Sequence, residues 1–183
     1  MRTRKEQAEW RREQLLDAAL GVFAHKGVDG ASIKDLAEAA GVTPGLLYRY
    51  FDSKDALVEA LLRERGFLPR LRELLTADHG GRPARQTLAD LLAAFDALLA
   101  DNADLVAVFF SAVHARAALA ELVSEGQRLI GGFLAEQVAA GELPPHDTQT
   151  AARVLFATVA VNRGVGTPVD IGSLVELIFP RKG

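Results

Sequence analysis

The 183-residue sequence contains no cysteine. Without thiols, the chain forms neither disulfide bonds nor thiolate metal sites, and it has no cysteine nucleophile. The four histidines (His25, His79, His114 and His146) show no metal-ligand spacing, the motif HExxH is absent, and no serine is paired with a base in the sequence. Because an all-helical hydrolase or a metal enzyme would need such groups, we predict that the protein is not an enzyme and that it binds no metal and no cofactor.

Long hydrophobic runs are also absent. The first residues, MRTRKEQAEWRREQ, are charged and contain no apolar core of the kind that a secretory signal requires. No apolar run has the length needed to cross a bilayer. Hydrophobic residues nevertheless make up 49% of a chain that is long enough to bury a core. The sequence therefore predicts a folded cytoplasmic protein with no membrane partner.

A strong excess of positive charge is missing, since the formal net charge is −3. Residues 1–65 contain 11 Lys and Arg against 11 Asp and Glu, and the rest of the chain contains 10 against 13. Residues 1–12, however, carry five basic residues against two acidic ones. Any attraction to DNA must therefore come from local clusters rather than from a global field.

We predict that residues 1–9 form a mobile basic arm and that a helix begins at Trp10. An apolar stripe through Leu16 and Phe23 marks this helix, which Gly27 is suited to end because glycine readily adopts the left-handed conformation. Two interpretations of the arm are open. It is a solvated tail, or its arginines reach into the minor groove or onto the phosphates of DNA.

The stretch from Ser32 to Leu61 has the pattern of a helix-turn-helix. Its first helix has an apolar stripe at i, i+3, i+4 and i+7, beginning at Ile33, and lies between the N-cap Ser32 and the terminating Gly41. The next helix starts almost at once, with Thr43 as N-cap and Pro44 at the first helical position. Two helices joined by so tight a turn allow the second to enter a DNA major groove.

The segment LLYRYF divides by helical spacing into an inner and an outer face. Leu47 and Phe51 are expected to fill a small core. The phenols of Tyr48 and Tyr50 and the guanidinium of Arg49, with the ammonium of Lys54 nearby, are groups that bond phosphate oxygens. We therefore interpret these polar groups as a DNA-facing rim.

Residues 15–61 resemble the N-terminal DNA-binding domain of the TetR family of bacterial transcriptional regulators. The resemblance rests on AA-x-x-x-F (Ala18, Ala19, Phe23) and Gly27, on IxxLAxxAGV (Ile33 to Val42), on TxGxLYxYF (Thr43 to Phe51), and on SKxxL (Ser53, Lys54, Leu57). A chance helix-turn-helix would not combine all of these motifs in the same register, so the resemblance is specific to this family. The resemblance implies an all-α fold, with an N-terminal three-helix helix-turn-helix domain at 1–52 and a C-terminal helical regulatory and dimerisation domain at 53–183.

Site residues follow from the resemblance position by position. Thr43, Tyr48, Tyr50 and Lys54 match positions that typically contact the DNA backbone, and Gly45 allows close approach because it has no Cβ. Leu46 and Arg49 stand at variable positions that carry sequence choice, although a leucine can offer only an apolar contact such as one with a thymine methyl. The complete predicted DNA-binding set is Ser32, Lys34, Thr43, Pro44, Gly45, Leu46, Tyr48, Arg49, Tyr50 and Lys54.

The C-terminal half shows no strand signal and reads as a series of helices around 88–99, 105–113, 119–139, 148–161 and 169–179, after a break at 66–69 and a loop at 77–83. The resemblance implies an inducer pocket in this half and a dimer interface on its last two main helices. Candidate pocket residues are Phe95, Phe109, Phe110, His114, Phe133, Phe156, Asn162 and Arg163, although the aromatic residues also suit a plain core. Candidate interface residues are Ala152, Leu155, Val159, Leu174 and Ile178.

Two functions remain open at this point. The first is a homodimeric TetR-like regulator, a repressor that a small-molecule effector releases from a palindromic double-stranded DNA operator. The second is a DNA-binding regulator without a small-molecule ligand, which acts constitutively or through a protein partner. The sequence hardly separates them, since both need the same DNA-binding segment.

Overall fold

A computed structural model describes residues 3–77, 79–112 and 116–180, without the side chains of 116–118. Within these ranges the chain is all helical, as predicted, and contains no strand. The helices are α1 (Arg4–Gly30), α2 (Ile33–Ala39), α3 (Pro44–Tyr48), α4 (Lys54–Glu64), α5 (Leu68–Thr76), α6 (Ala84–Asp101), α7 (Ala103–Ser111), α8 (Arg116–Ala139), α9 (Thr148–Gly164) and α10 (Ile171–Ile178). None of them, in the ranges described, combines the length and apolarity that a bilayer crossing requires.

The helices pack into two compact units. The first contains Met1–Gly66 together with Ala103–Ala120, and the second contains Phe67–Asn102 and Glu121–Gly183. Helix α7 therefore packs in the first unit, against α1, although it lies in the C-terminal half of the sequence. The sequence analysis placed the DNA-binding domain at 1–52 and the regulatory domain at 53–183. This assignment of function to the two parts of the chain stays a prediction.

Helix α1 begins earlier than the sequence pattern predicted. The predicted start at Trp10 is wrong, because Thr3 caps the helix and Arg4 is already helical. The Thr3 hydroxyl accepts a hydrogen bond from the Glu6 backbone N–H, and the Glu6 carboxylate accepts one from the Thr3 N–H. This reciprocal capping box satisfies two of the N–H groups that a helix start leaves unpaired. Residues 4–9 are thus the first turns of α1 and not an irregular arm.

Gly27 was predicted to end the first helix, after its apolar stripe. Gly27 has φ +71° and interrupts the helical conformation, which then resumes as far as Gly30. A Cβ at this position would lie 4.0 Å from the Cβ of Ser111 in α7, which is an ordinary van der Waals distance, so the positive φ rather than a lack of space favours glycine here. Leu16 and Phe23, both completely buried, carry the predicted apolar stripe into the core of the first unit.

The core of the second unit is an aromatic cluster of Phe67, Phe95 and Phe156. The ring of Phe95 stacks on that of Phe156 with centroids 5.4 Å apart, and Phe67 lies 5.7 Å from Phe95. The Phe156 ring fills the space beside Gly126 of α8, where an added Cβ would lie 2.4 Å from the Phe156 Cε2 atom. Gly126 is therefore required for the close packing of α8 against α9.

Three charged side chains on the surface of this unit connect α5 to α8. Glu125 accepts hydrogen bonds from Arg128 at 2.7 Å and from Arg72 at 2.6 Å. These bonds, that from Arg128 first, lower the pKa of Glu125 to about 2. The carboxylate consequently stays ionised throughout the range in which the protein would function.

The packing at Gly126 predicts opposite effects for two glycines of α8. Gly132 is exposed and has no atom within 4 Å of an added Cβ, so Gly132→Ala should stabilise the protein by up to about 1 kcal/mol through better helix propensity. Gly126→Ala should instead destabilise it by about 1–2 kcal/mol, because overpacking against Phe156 outweighs the same gain. Denaturant unfolding of both variants measures the difference, and equal stabilisation would contradict the proposed constraint.

Candidate nucleic-acid interface

The start of α2 is fixed by a capping box tied to α1. The Ser32 hydroxyl accepts a hydrogen bond from the Asp35 N–H at 3.1 Å and donates one to Asp35 Oδ2 at 2.7 Å. Lys26 of α1 donates to the other carboxylate oxygen at 2.7 Å. The hydrogen bond from Lys26, followed by those from Ser32, holds the pKa of Asp35 well below its ordinary value. The hydroxyl of Ser32, a predicted DNA contact, is thus already engaged in capping.

The turn between α2 and α3 follows the predicted signals. Gly41 has φ +63°, and the Val42 N–H donates to the Ala37 carbonyl at 2.9 Å, which closes α2. Thr43 then caps α3 by accepting a hydrogen bond from the Leu46 N–H at 3.3 Å, and Pro44 occupies the first turn. The sequence signals at Gly41, Thr43 and Pro44 are therefore confirmed as the elements that set the turn.

In α3 and the three residues that follow it, the side chains divide into a buried set and a more exposed set. Leu47 and Phe51 are 2% and 5% exposed, which confirms their predicted place in the core. Tyr48 is 51% exposed and Arg49 is exposed, whereas Tyr50 is half-buried. An added Cβ at Gly45 would meet nothing within 4 Å, so the start of α3 is open to an incoming molecule.

Arg12 of α1 connects the exit of α3 to the end of α4. Its Nη2 atom lies 2.5 Å from Glu64 Oε1, and its Nε atom lies 3.2 Å from both carboxylate oxygens. Nη1 donates to the Tyr50 carbonyl at 3.4 Å, and the guanidinium carbon lies 4.6 Å from the centre of the Phe51 ring. The sequence pattern counted Arg12 only as part of a basic cluster. A separation of 52 residues from Glu64 leaves no local signal for this clamp.

Lys54 has a structural role beside its predicted contact with phosphate. Its ammonium donates to the carbonyls of Val28 at 2.8 Å and Ala31 at 3.1 Å, which ties the start of α4 to the loop before α2. An ammonium has three N–H donors, so one remains for another acceptor. Lys34, by contrast, is exposed on α2.

The candidate pocket residues do not form one set. Phe95 and Phe156 meet in the aromatic cluster, whereas the buried Phe133 contacts the edge of His79 with ring centres 6.0 Å apart. Phe109 and Phe110 of α7 belong to the first unit, and Phe110 is 43% exposed. His114 lies outside the described residues.

The two polar pocket candidates at the end of α9 are both engaged, Asn162 within its own helix and Arg163 with α6. The Asn162 amide donates to the Thr158 carbonyl of its own helix at 2.8 Å. Arg163 forms an ion pair with Asp96 of α6, with Nε 2.9 Å from Oδ1. This pair raises the pKa of Arg163 and fixes the end of α9 to α6.

Three of the residues predicted for a dimer interface lie elsewhere. Ala152, Leu155 and Val159 are completely buried in the core of the second unit, so they present no surface to a partner. Helix α9 is apolar on two faces, and its periodicity could not indicate which face turns inward. The outward face carries Val154 and Val161, which are 45% and 50% exposed, and Val165, directly after the helix, is 69% exposed. On α10, Leu174 and Ile178 are half-buried, and Leu177 is 80% exposed.

A short, capped α3 with an exposed aromatic and arginine rim, held by α1, α2 and α4, defines the class of helix-turn-helix DNA-binding proteins. Comparison with known proteins gives the same class. The family model described as "Bacterial regulatory proteins, tetR family" matches residues 15–61. The repressor KstR2 of Rhodococcus jostii is 34% identical over 163 residues, which cover 82% of this chain and 77% of KstR2. The chain belongs to the TetR family of transcriptional regulators.

Further relatives cover most of the chain. The fatty acid metabolism regulator protein of Bacillus subtilis is 27% identical over 154 residues, covering 80% of this chain and 78% of that protein. The crystal structure of FadR from Bacillus subtilis in complex with stearoyl-CoA has a TM-score of 0.77 at 23% identity and covers 93% of this chain and 99% of that chain. The similarity to FadR extends the shared fold beyond the helix-turn-helix to the C-terminal helices.

Proposed function

We propose that the protein is a homodimeric repressor that a small-molecule effector releases from a palindromic operator. The observation that supports the DNA-binding part is the division of α3, in which Leu47 and Phe51 are buried while Tyr48 and Arg49 stay exposed. In this arrangement the exposed groups of α3 face the major groove. The phenols of Tyr48 and Tyr50, the remaining donor of Lys54 and the N-terminal end of α3 at Thr43 to Gly45 bind the phosphate backbone.

A single α3 of five residues covers only a few base pairs. A two-fold dimer doubles the contacts and places its half-sites about one helical turn, ~34–36 Å, or a multiple of it, apart. If each subunit neutralises roughly four phosphates, log K falls with log salt at a slope of about −7 for the dimer.

Tyr48 and Arg49 should respond differently to substitution. Tyr48→Phe keeps the ring but removes the phenol, so it should weaken binding to all sequences by the same factor if the phenol holds a phosphate. Arg49→Ala should alter the preferred base at one position of each half-site, because an arginine that reads a base contributes about 1–3 kcal/mol of discrimination. Selection of bound sites from random DNA measures both effects. A changed preference in Tyr48→Phe, or an unchanged one in Arg49→Ala, would contradict the assigned role.

For the dimer, we propose the exposed valines Val154 and Val161 of α9 and Val165 directly after it, together with Leu177 on α10. Isolated exposed hydrophobic residues are common on monomers, but several exposed valines at helical spacing, with an 80% exposed leucine on the next helix, are typical of a surface that a partner covers. A two-fold axis across such a face pairs the same helices of both subunits. The residues Leu174 and Ile178 are half-buried on the same helix as Leu177.

Substitution of the outward face should separate the subunits. Val161→Glu combined with Leu177→Glu places four like charges in the dimer interface, so we expect the dissociation constant to rise at least tenfold, which corresponds to about 1.4 kcal/mol. Ala135→Glu combined with Ala139→Glu, at two exposed positions of α8, adds the same charge elsewhere and is the matched control. Sedimentation equilibrium gives the mass, and thermal melting shows that the variant folds. An unchanged dimer would contradict the proposed interface.

The proposed effector carries a long acyl chain, as in a coenzyme A thioester. Two observations support this class: the second unit has an aromatic core, and the similar FadR binds stearoyl-CoA. An acyl chain that enters this core must displace the Phe156 ring, which stacks on Phe95 and covers Gly126. Helix α6 carries Phe95 and is followed directly by α7, which packs against α1 in the DNA-binding unit. In the proposed mechanism, this chain connection links the effector site to the DNA-binding unit.

An effector releases DNA only if it binds the released state more tightly. Stearoyl-CoA should therefore raise the melting temperature of the free protein and lower its affinity for the selected operator, whereas coenzyme A, without the acyl chain, should do neither. Thermal shift and fluorescence anisotropy measure the two effects. If no member of a series of acyl chain lengths changes either quantity, the alternative of a regulator without a small-molecule ligand is favoured.

A further inference from the structure

The first turns of α1 form one wall of a groove beside α3. This groove has a volume of about 620 Å³ and is lined by Arg4, Gln7, Ala8, Trp10 and Arg11 from α1 and by Leu46 and Tyr50. All of these residues belong to the first unit. The groove is thus continuous with the rim of α3 that the proposed function places on DNA.

The groove is positively charged because the acidic residues of the same turns are engaged elsewhere. Glu6 accepts the capping hydrogen bond from Thr3, and Glu9 lies 3.8 Å from the ammonium of Lys5. Neither carboxylate lines the groove, whereas Arg4 and Arg11 both do. The lining of the groove therefore has a net charge of +2, although the whole protein is slightly acidic.

The two arginines are placed for contact with a partner. Arg4 is exposed and has no carboxylate partner among the described residues. The guanidinium carbon of Arg11 lies 5.3 Å from the centre of the Trp10 ring, and its Nη1 atom is 3.4 Å from Gln14 Oε1. An arginine has five N–H donors, so most of those on Arg11 remain available. A guanidinium bonds two phosphate oxygens at once, which makes arginine suited to a sugar-phosphate strand.

The wall is fixed relative to α3. Arg12, the residue after Arg11, is bound to Glu64 of α4 and to the carbonyl of Tyr50, which itself lines the groove. The capping box at Thr3 keeps the preceding turns helical. Little conformational entropy is lost when a ligand meets a surface that is already ordered, whereas a mobile arm would have to be ordered on binding.

We propose that this groove binds the sugar-phosphate backbone that flanks the major groove entered by α3, through Arg4 and Arg11. The inference rests on the proposed DNA-binding function and adds a second, preformed contact surface on α1. Leu46 forms part of the groove wall and packs beside this strand, which reduces its part in reading a base. The contacts are to phosphate and carry no sequence information.

The salt dependence of operator binding tests the two arginines. Loss of one phosphate contact per subunit should reduce the slope of log K against log salt by about 1.8 for Arg4→Ala in the dimer, and by about 3.6 for Arg4→Ala combined with Arg11→Ala. The base preferences should stay unchanged. Lys5→Ala is the matched control, because it removes the same charge from the same turn but does not line the groove, and it should leave the slope unchanged. Equal slopes for the control and the arginine variants would overturn the inference.

Trp10 provides an independent readout, because it is the only tryptophan of the chain and is 37% exposed in the groove. Saturating operator DNA should protect its fluorescence from acrylamide quenching in the wild-type protein. Quenching that DNA leaves unchanged would overturn the inference. Thermal melting of each variant shows that it folds. Failure of the wild-type protein to bind any selected DNA would overturn the proposed function as well, whereas binding with unaltered variant slopes would overturn only this inference.

Discussion

The position of α3 depends on burial, because a helix of five residues has no stability of its own. Leu47 and Phe51 place its inner face in the core of the first unit, and Arg12 links its exit to α4 through Glu64 and the Tyr50 carbonyl. A buried leucine side chain stabilises by about 1.5–3 kcal/mol, which is comparable with the cost of fixing one or two residues of backbone. The recognition surface is therefore ordered by its neighbours before any DNA arrives.

Two residues of the predicted DNA-binding set also have a structural role. Ser32 caps α2 with its hydroxyl, and Lys54 ties the start of α4 to the carbonyls of Val28 and Ala31. Substitution of either residue changes the geometry of the helix-turn-helix as well as a contact with DNA, so loss of binding would not identify a phosphate contact. Tyr48 and Arg49 are exposed and their substitution leaves the core intact, which makes them the more informative positions.

Local signals in the sequence were sufficient to predict the helix-turn-helix. They were insufficient to predict the long-range contacts that hold it and the packing of the C-terminal helices. Ser32, Gly41, Thr43 and Pro44 act within four residues of their own positions, so the caps and the turn could be predicted. The clamp of Arg12 on Glu64 and the ion pair of Arg163 with Asp96 span 52 and 67 residues and have no such signal. In α9, two apolar faces left the choice between core and surface to tertiary packing, and Ala152, Leu155 and Val159 proved to be core.

In the proposed mechanism, release of DNA needs only a small free-energy difference between two arrangements of the second unit. Allosteric coupling of about 1–3 kcal/mol changes affinity 5- to 150-fold. Each buried methylene contributes about 0.8 kcal/mol, so two to four methylenes that are accommodated only in the released state supply the whole coupling. The stacked rings of Phe95 and Phe156 leave no room for an acyl chain between them, and a chain that displaces Phe156 must therefore favour a different arrangement of α6 and α9. In the proposed mechanism, discrimination by chain length therefore originates in the contact between these two aromatic rings.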